Sequence, residues 1–478
     1  MQVYKIKKSI MPLFFAFPLF FFLSACSDEN TNQINNIGNN LSTKTPYPNP
    51  DQTQYTDPPE GCVPIFINYV GRHGSRNLTK DTAYTNLLAE VNAASQSGDL
   101  TGEFGSQVGG WLKDIKNLED PVLGELTSQG KGELKAMAIR MYENYKTLLN
   151  SASPIKAIYT QCTYKQRAIG SRTAFQEGLK EKADEGFNPK AIDEEPPFEK
   201  CQDPLLRFFE MCTCYTDFLD TDPAAALYDQ FVSLSETQAA FKTILERIFS
   251  KSLITSKTPQ EINTLTQYMY QLCQLEPNID KDDYLKRFCL PFYDVDSDAV
   301  QRFAYLSDID YYFRQGPNPG NDNKSYKYSC PLVRDFILTT NKAISEPQTA
   351  PTANLRFGHT ETVMPFASFL GLYINADSEE LSFSPDRAWN TSKLCPMATN
   401  VQLILYKCES TYYEDTYKVK VLLNENEVVL PIPACQDVYC NWQDVEAYYT
   451  NLMAGLGLLS CTFQEWQGET ICDGSSCQ

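Results

Sequence analysis

The stretch Val63 to Val70, VPIFINYV, constrains the fold more than any other segment of this 478-residue chain. It is a nearly continuous apolar, β-rich run with no alternation of polar residues to mark a solvent face. A strand of this kind is covered on both sides, as in a parallel sheet flanked by helices. The loop leaving its carboxyl end reads GRHGSR, and open α/β sheets place their ligand sites at that position. His73 in this loop is one of only two histidines in the chain.

Further along, Leu134, Met137, Met141, Tyr145 and Leu148 recur at helical spacing within residues 126–149 and predict a core-packing helix. Residues 155–159 read as a short strand and 166–179 as a helix. From 185 to 310 no strand-helix alternation is visible, and several amphipathic stretches predict a mostly α-helical insertion. Residues 355–358 return to strand, His359 opens a loop, and 363–372 is apolar enough for a buried helix. Residues 417–423 and 428–432 flank Asn424-Glu425-Asn426-Glu427 as a β-hairpin.

Hydrophobic residues make up 42% of the chain and aromatic residues 12%, so a large buried core is affordable. The net charge of −19 argues against a nucleic-acid partner, which would demand a basic footprint. A polyanionic ligand then needs a locally basic pocket.

Residues 1–26 read as an export signal: Lys5, Lys7 and Lys8 precede an apolar stretch from Ile10 to Leu23, followed by Leu23-Ser24-Ala25-Cys26. That box resembles a bacterial lipoprotein cleavage site with Cys26 as the lipidated residue, an ordinary secretory signal being the alternative. The expected location is the periplasm, outer membrane or cell surface as a lipoprotein, or the medium as a secreted protein. Residues 27–60, rich in Asn, Thr, Asp and Pro, are expected to form a flexible tether, with folding beginning near Gly61. The 16 cysteines of an exported chain predict disulfides, with Cys435 and Cys440, and Cys472 and Cys477, as local pairs.

Arg72-His73-Gly74-Ser75-Arg76 has the composition of a phosphoryl site. Two guanidiniums can bind phosphoryl oxygens through planar, charge-assisted hydrogen bonds, while the imidazole presents a ring nitrogen to phosphorus. Neighbouring positive charge disfavours protonation, which keeps the imidazole nucleophilic. The second histidine, His359, lies in RFGHTET, again after a predicted strand and two residues before Glu361. A second imidazole can stabilise charge that builds in the transition state, and an acid beside it can protonate a leaving oxygen.

RHGSR with a distant GHTE resembles the histidine acid phosphatases, and within them the multiple inositol polyphosphate phosphatases, which act as phytases. The resemblance spans residues 61–450 and includes LTSQGKGELKAMAIRM, YKQRAIGSRTAFQEGL, LLRFFEMCTCY, DIDYYFRQGP, FGHTETVMPFASFLGL and YCNWQDVEAYY. It implies an α/β fold with a mainly parallel sheet and helices on both faces, formed by 61–184 and 311–478, with 185–310 inserted as an α-helical domain. It also implies that His73 is the nucleophile, that Arg72, Arg76 and Arg167 hold the phosphate, that His359 contacts it, and that Glu361 donates the proton. Thr360 stands where the family usually has Ala. No metal or other cofactor is required by such a mechanism. Lys80, Lys165 and Arg314 are candidates for binding the other phosphates of an inositol polyphosphate, and a monomer is expected. Two alternatives are a broad acid phosphatase acting on small phosphomonoesters and a silent surface lipoprotein that only binds phosphorylated ligands.

Overall fold

The computed structural model describes residues 40–48, 50, 55–278, 283–294, 298–318, 320, 322–373, 381–384, 387–409 and 415–458. The export signal, Cys26, and Cys472 with Cys477 lie outside them.

One mixed sheet organises the molecule. Strands β1 (Cys62–Arg72), β2 (Ile158–Cys162), β3 (Ile192–Glu194), β4 (Ala353–Gly358), β5 (Asn400–Cys408), β6 (Thr416–Leu423) and β7 (Asn426–Val428) run in the order β3-β2-β4-β1-β5-β6-β7, and β8 (Cys440–Asn441) pairs with β6. The half from β3 to β1 is parallel, whereas β5, β6 and β7 are antiparallel to their neighbours. β1 is central, and from Phe66 to Arg72 it is buried without interruption, as its unbroken apolar run requires. Ile67 and Tyr69 face one hydrophobic cluster and Phe66 and Val70 the other, so β1 separates the two cores.

Two predicted elements shift on folding. The strand read at 155–159 forms at Ile158–Cys162 instead; Ile155 is 74% exposed and Ile158 is fully buried. The hairpin forms with a two-residue turn at Asn424 and Glu425, both at positive φ (51° and 61°), and its second strand stops at Val428.

The helices that matter for the site are α1 (Thr82–Ser97), α2 (Gly102–Glu119), α3 (Ser128–Asn144), α4 (Gln166–Lys180), α5 (Pro259–Cys273), α6 (Asp298–Arg314) and α7 (Thr360–Phe369). Residues 185–310 are mostly helical, yet they do not own a separate core: Tyr84, Leu87 and Leu112 of α1 and α2 share one cluster with Phe241 and Met269. Disulfides join Cys62 to Cys408 across β1 and β5, Cys273 to Cys289, and Cys435 to Cys440, the last as the spacing suggested.

The reading of 27–60 as free tether does not hold for residues 40–48. Leu41, Ser42, Thr43 and Tyr47 are buried, and this strap crosses the carboxyl edge of the sheet. The composition of the whole stretch, dominated by Asn and Thr, hides a nine-residue segment anchored by two apolar side chains and by its own backbone groups.

Candidate active site

Three adjacent parallel strands deliver the candidate residues to one edge. β2, β4 and β1 end in register, Cys162 opposite Phe357 and Gly358 opposite Arg72. His73 therefore follows β1 and His359 follows β4 at the same level, one strand spacing apart, which is about 4.8 Å. Their ring centroids lie 5.4 Å from each other, with the planes at 68°. Beyond β2, Arg167 sits in the first turn of α4, and Glu361 in the first turn of α7. Helix N-termini carry partial positive charge, so both helices add to a field that favours an anion.

The RHGSR loop is held from below by α3. A Cβ on Gly74 would stand 2.5 Å from the carbonyl oxygen of Gly130, and one on Gly130 2.1 Å from that of Ser75, so both positions need glycine for the loop and helix to touch. The Glu133 carboxylate accepts from the Ser75 amide at 2.8 Å and the Ser75 hydroxyl at 2.6 Å, and from the Tyr47 amide at 3.0 Å. The Gly74 amide donates to Ser171 Oγ on α4 at 3.1 Å. Loop, strap and α4 are thereby fixed to each other.

These contacts orient the imidazole of His73. Its Nδ1 is 2.9 Å from the carbonyl oxygen of Gly74. A carbonyl can only accept, so Nδ1 carries the proton and Nε2 keeps the lone pair. His359 Nε2 lies 2.8 Å from Thr163 Oγ1, while its Nδ1 is buried with no partner among the described residues. Arg72 is 1% exposed and spends Nη1 on the carbonyls of Thr43, Cys395 and Pro396. Its Nε, with those of Arg76 and Arg167, is buried without a partner among the described residues. Buried donors left open in one place are what an oxyanion would satisfy.

The electrostatics follow from this crowding. Burial, then Arg167, Arg72 and His359, hold the His73 imidazole well below its ordinary value of 6.5. His359 is lowered in the same way by burial, Arg167 and Arg207. Burial and the Arg167 and Arg72 charges push Arg76 down to about 9, with Glu361 working against the shift. At neutral pH the guanidinium still carries its charge, so the site is a cationic well in a chain of net charge −19.

The structure thus brings His73, His359, Arg72, Arg76, Arg167 and Glu361 to one site. Lys80 lies just outside it, on the wall of a cavity of about 440 Å³ that Arg76 also lines. Lys165 sits 4.7 Å above the ring of Tyr164. Arg314 is paired with Asp310 at 2.6 Å and Asp222 at 2.8 Å, so its charge is already compensated.

Sequence reasoning gave no role to two further cations. Lys44, from the strap, is lowered well below 10.5 by burial and by Arg76 and Arg72, and so belongs to the same cluster. Arg207 is 6% exposed, stacks on Tyr164 and Phe209 at 5.0 and 4.9 Å, pairs with Glu210, and has Nε and Nη1 buried without partners among the described residues. Its signal was a lone cation inside the apolar run LLRFFEM. Lys44 lay in a polar tract and had none.

Residues 65–424 match the family model described as the histidine phosphatase superfamily, branch 2. Among curated relatives, multiple inositol polyphosphate phosphatase 1 of Homo sapiens is 26% identical over 414 residues, covering 82% of this chain and 80% of the relative. Phytase A of Aspergillus oryzae is 23% identical over 409 residues, 79% of this chain and 80% of that one. Among solved structures, the Bifidobacterium longum multiple inositol polyphosphate phosphatase in complex with inositol hexasulfate superposes with a TM-score of 0.74 at 20% identity, over 86% of this chain and 97% of that chain. The phytase from D. castellii superposes at 0.61 with 15% identity, over 88% and 86%. These two likenesses establish a shared fold.

Proposed function

The chain belongs to branch 2 of the histidine phosphatase superfamily, and from that premise we propose that it is an exported phytase-type phosphomonoesterase, hydrolysing inositol polyphosphates through a phosphohistidine. The observation that carries the reading is the convergence of both histidines and three arginines at the carboxyl ends of β1, β2 and β4.

In the first step His73 Nε2 attacks phosphorus in line with the ester oxygen. The N–P bond forms as the P–O bond breaks, and Glu361 gives its proton to the departing alkoxide. In the second step water attacks the phosphohistidine, the Glu361 carboxylate takes its proton, and orthophosphate leaves with the imidazole restored. Arg72, Arg76, Arg167 and His359 stabilise the charge on the phosphoryl oxygens in both steps. An alkali-quenched reaction on labelled phytate tests this. Label should be held by the wild-type protein in a bond stable to base and labile to acid, and be absent from His73→Ala. Equal labelling of the two proteins overturns the assignment.

The curated relatives named for inositol polyphosphates support this substrate class over small monoesters. A ratio of kcat/KM for phytate to p-nitrophenyl phosphate well above one is expected. Export, with lipid at Cys26, accords with the disulfides, which persist in oxidising compartments. Metabolic labelling with palmitate should mark the wild type and leave Cys26→Ser unmarked.

A further inference from the structure

The cavity of about 440 Å³ beside Arg76 departs from the charge pattern of the molecule. In a chain of net charge −19, its walls carry Lys44, Arg76 and Lys80 and, among the described residues, no aspartate or glutamate; amides such as Gln267, Gln271 and Asn278 complete them. A second cavity of about 460 Å³, which shares Gln267, Gln271, Ser307 and Tyr311 with the first, is lined by Asp222, Asp229 and Asp310 together with Arg314. Of these two adjoining cavities, the one next to the phosphoryl site is the one whose described walls carry cations without a carboxylate.

Lys44 enters that space from a fixed backbone. Tyr270 Oη donates to the Asn40 carbonyl at 2.7 Å, Gln274 Nε2 to that of Leu41 at 2.8 Å, and Thr43 Oγ1 donates to Tyr311 Oη at 3.0 Å. From the sheet side, Arg72 donates to the Thr43 carbonyl and the Met397 amide to that of Thr45 at 2.8 Å. Helices α5 and α6 and the sheet edge thus grip the strap residue by residue. The Lys44 ammonium makes no hydrogen bond or ion pair with the described residues. A side chain with high rotamer entropy, delivered from a rigid segment into a cationic cavity and left unpaired among the described residues, is arranged for an anion that arrives later.

We infer that Lys44 is a specificity-determining residue: it binds a phosphoryl group other than the one transferred, on a substrate that carries several. The inference deepens the proposed function and rests on it. The strap places Lys44 beside Arg76, so one substrate can present its reacting phosphate to His73 and a neighbouring phosphate to Lys44 and Lys80. Burial and the charges of Arg76 and Arg72 hold the Lys44 ammonium well below its ordinary value, which a bound phosphate would reverse.

The test uses p-nitrophenyl phosphate as reporter and measures inhibition constants for inositol hexasulfate and for orthophosphate. Wild type, Lys44→Gln, Lys44→Met and Lys44→Arg are compared. The loss of one charge-assisted contact should raise the constant for inositol hexasulfate about tenfold more than that for orthophosphate in Lys44→Gln. Lys44→Arg should recover most of the difference. Lys44→Met keeps the side-chain length without the charge, and reads the same ratio if the polar variant does not fold. Equal factors for both inhibitors would place Lys44 at the reacting phosphate and overturn the inference, as would no change in either or a wild type insensitive to inositol hexasulfate. Because the reporter is a small monoester, a wild type with no preference for phytate would refute the substrate reading and leave this comparison interpretable.

Discussion

His73 and His359 meet edge to face at 5.4 Å, and the amide of His73 donates to the carbonyl of Gly358 at 3.0 Å. The residue before one histidine is thus hydrogen-bonded to the other. The separation of the rings is set by strand pairing, the most rigid spacing a sheet offers. A Cβ on Gly358 would stand 2.7 Å from Thr362 Oγ1, so the step from β4 into α7 tolerates no side chain there without a shift.

Depression of the His73 pKa below 6.5 keeps the nucleophile neutral in mild acid. The acid limb of kcat/KM on p-nitrophenyl phosphate should therefore fall well beneath pH 6.5, after correction for the second ionisation of the ester, which is about 6 for phosphate monoesters. A limb centred at the ordinary imidazole value would show that burial and the arginines do not control this group.

Arg167 offers a planar guanidinium to phosphoryl oxygens, and lysine supplies charge without the fork. Arg167→Lys should lower kcat/KM on phytate by about 10²-fold, and Arg167→Ala by up to about 10³-fold, the scale of losing one preorganised donor to a transition-state oxyanion. Steady-state kinetics with the melting temperature as control reads this, and a loss under threefold in both variants would remove Arg167 from the site.

Glu119, the last residue of α2, is fully buried; its Oε2 accepts from the Leu78 amide at 2.7 Å and its Oε1 has no partner among the described residues. Burial raises its carboxyl from 4.5 to about 7. Between those values the folded state binds more protons than the unfolded one. Its contribution is thus full below pH 4.5 and is lost as pH rises through about 7. Glu119→Gln should flatten this loss and gain up to about 3 kcal/mol over the wild type at pH 8. Chemical denaturation at pH 4.5 and pH 8 checks it; a wild-type-minus-variant difference independent of pH contradicts the shift.

Glu133 receives three hydrogen bonds from the nucleophile loop and the strap. Glu133→Ala leaves buried donors unpaired and should destabilise by about 2–5 kcal/mol. Because the same carboxylate holds Ser75 and Tyr47, kcat should fall further than the loss of folded protein explains. Activity per folded molecule equal to wild type would reduce Glu133 to a structural brace.

Local chemistry explains why so much of this protein is legible in its linear chain. An unbroken apolar strand announced the parallel half of the sheet through β1, and helical periodicity announced α3 and α4. The pairing of His73 with arginines and of His359 with Glu361 announced the phosphoryl site, because these groups act through chemistry their own side chains display. What folding alone decided was proximity across the chain. Residue 44 has no local pattern to distinguish it from the polar residues around it, and only the hydrogen bonds that its neighbours Asn40, Leu41 and Thr43 make with Tyr270, Gln274, Tyr311 and Arg72 carry it beside Arg76. Glycines 74 and 130 likewise matter because two distant segments touch there. Side-chain chemistry is written residue by residue, whereas a charge field is a sum over positions in space, and that sum exists only after the strands have aligned.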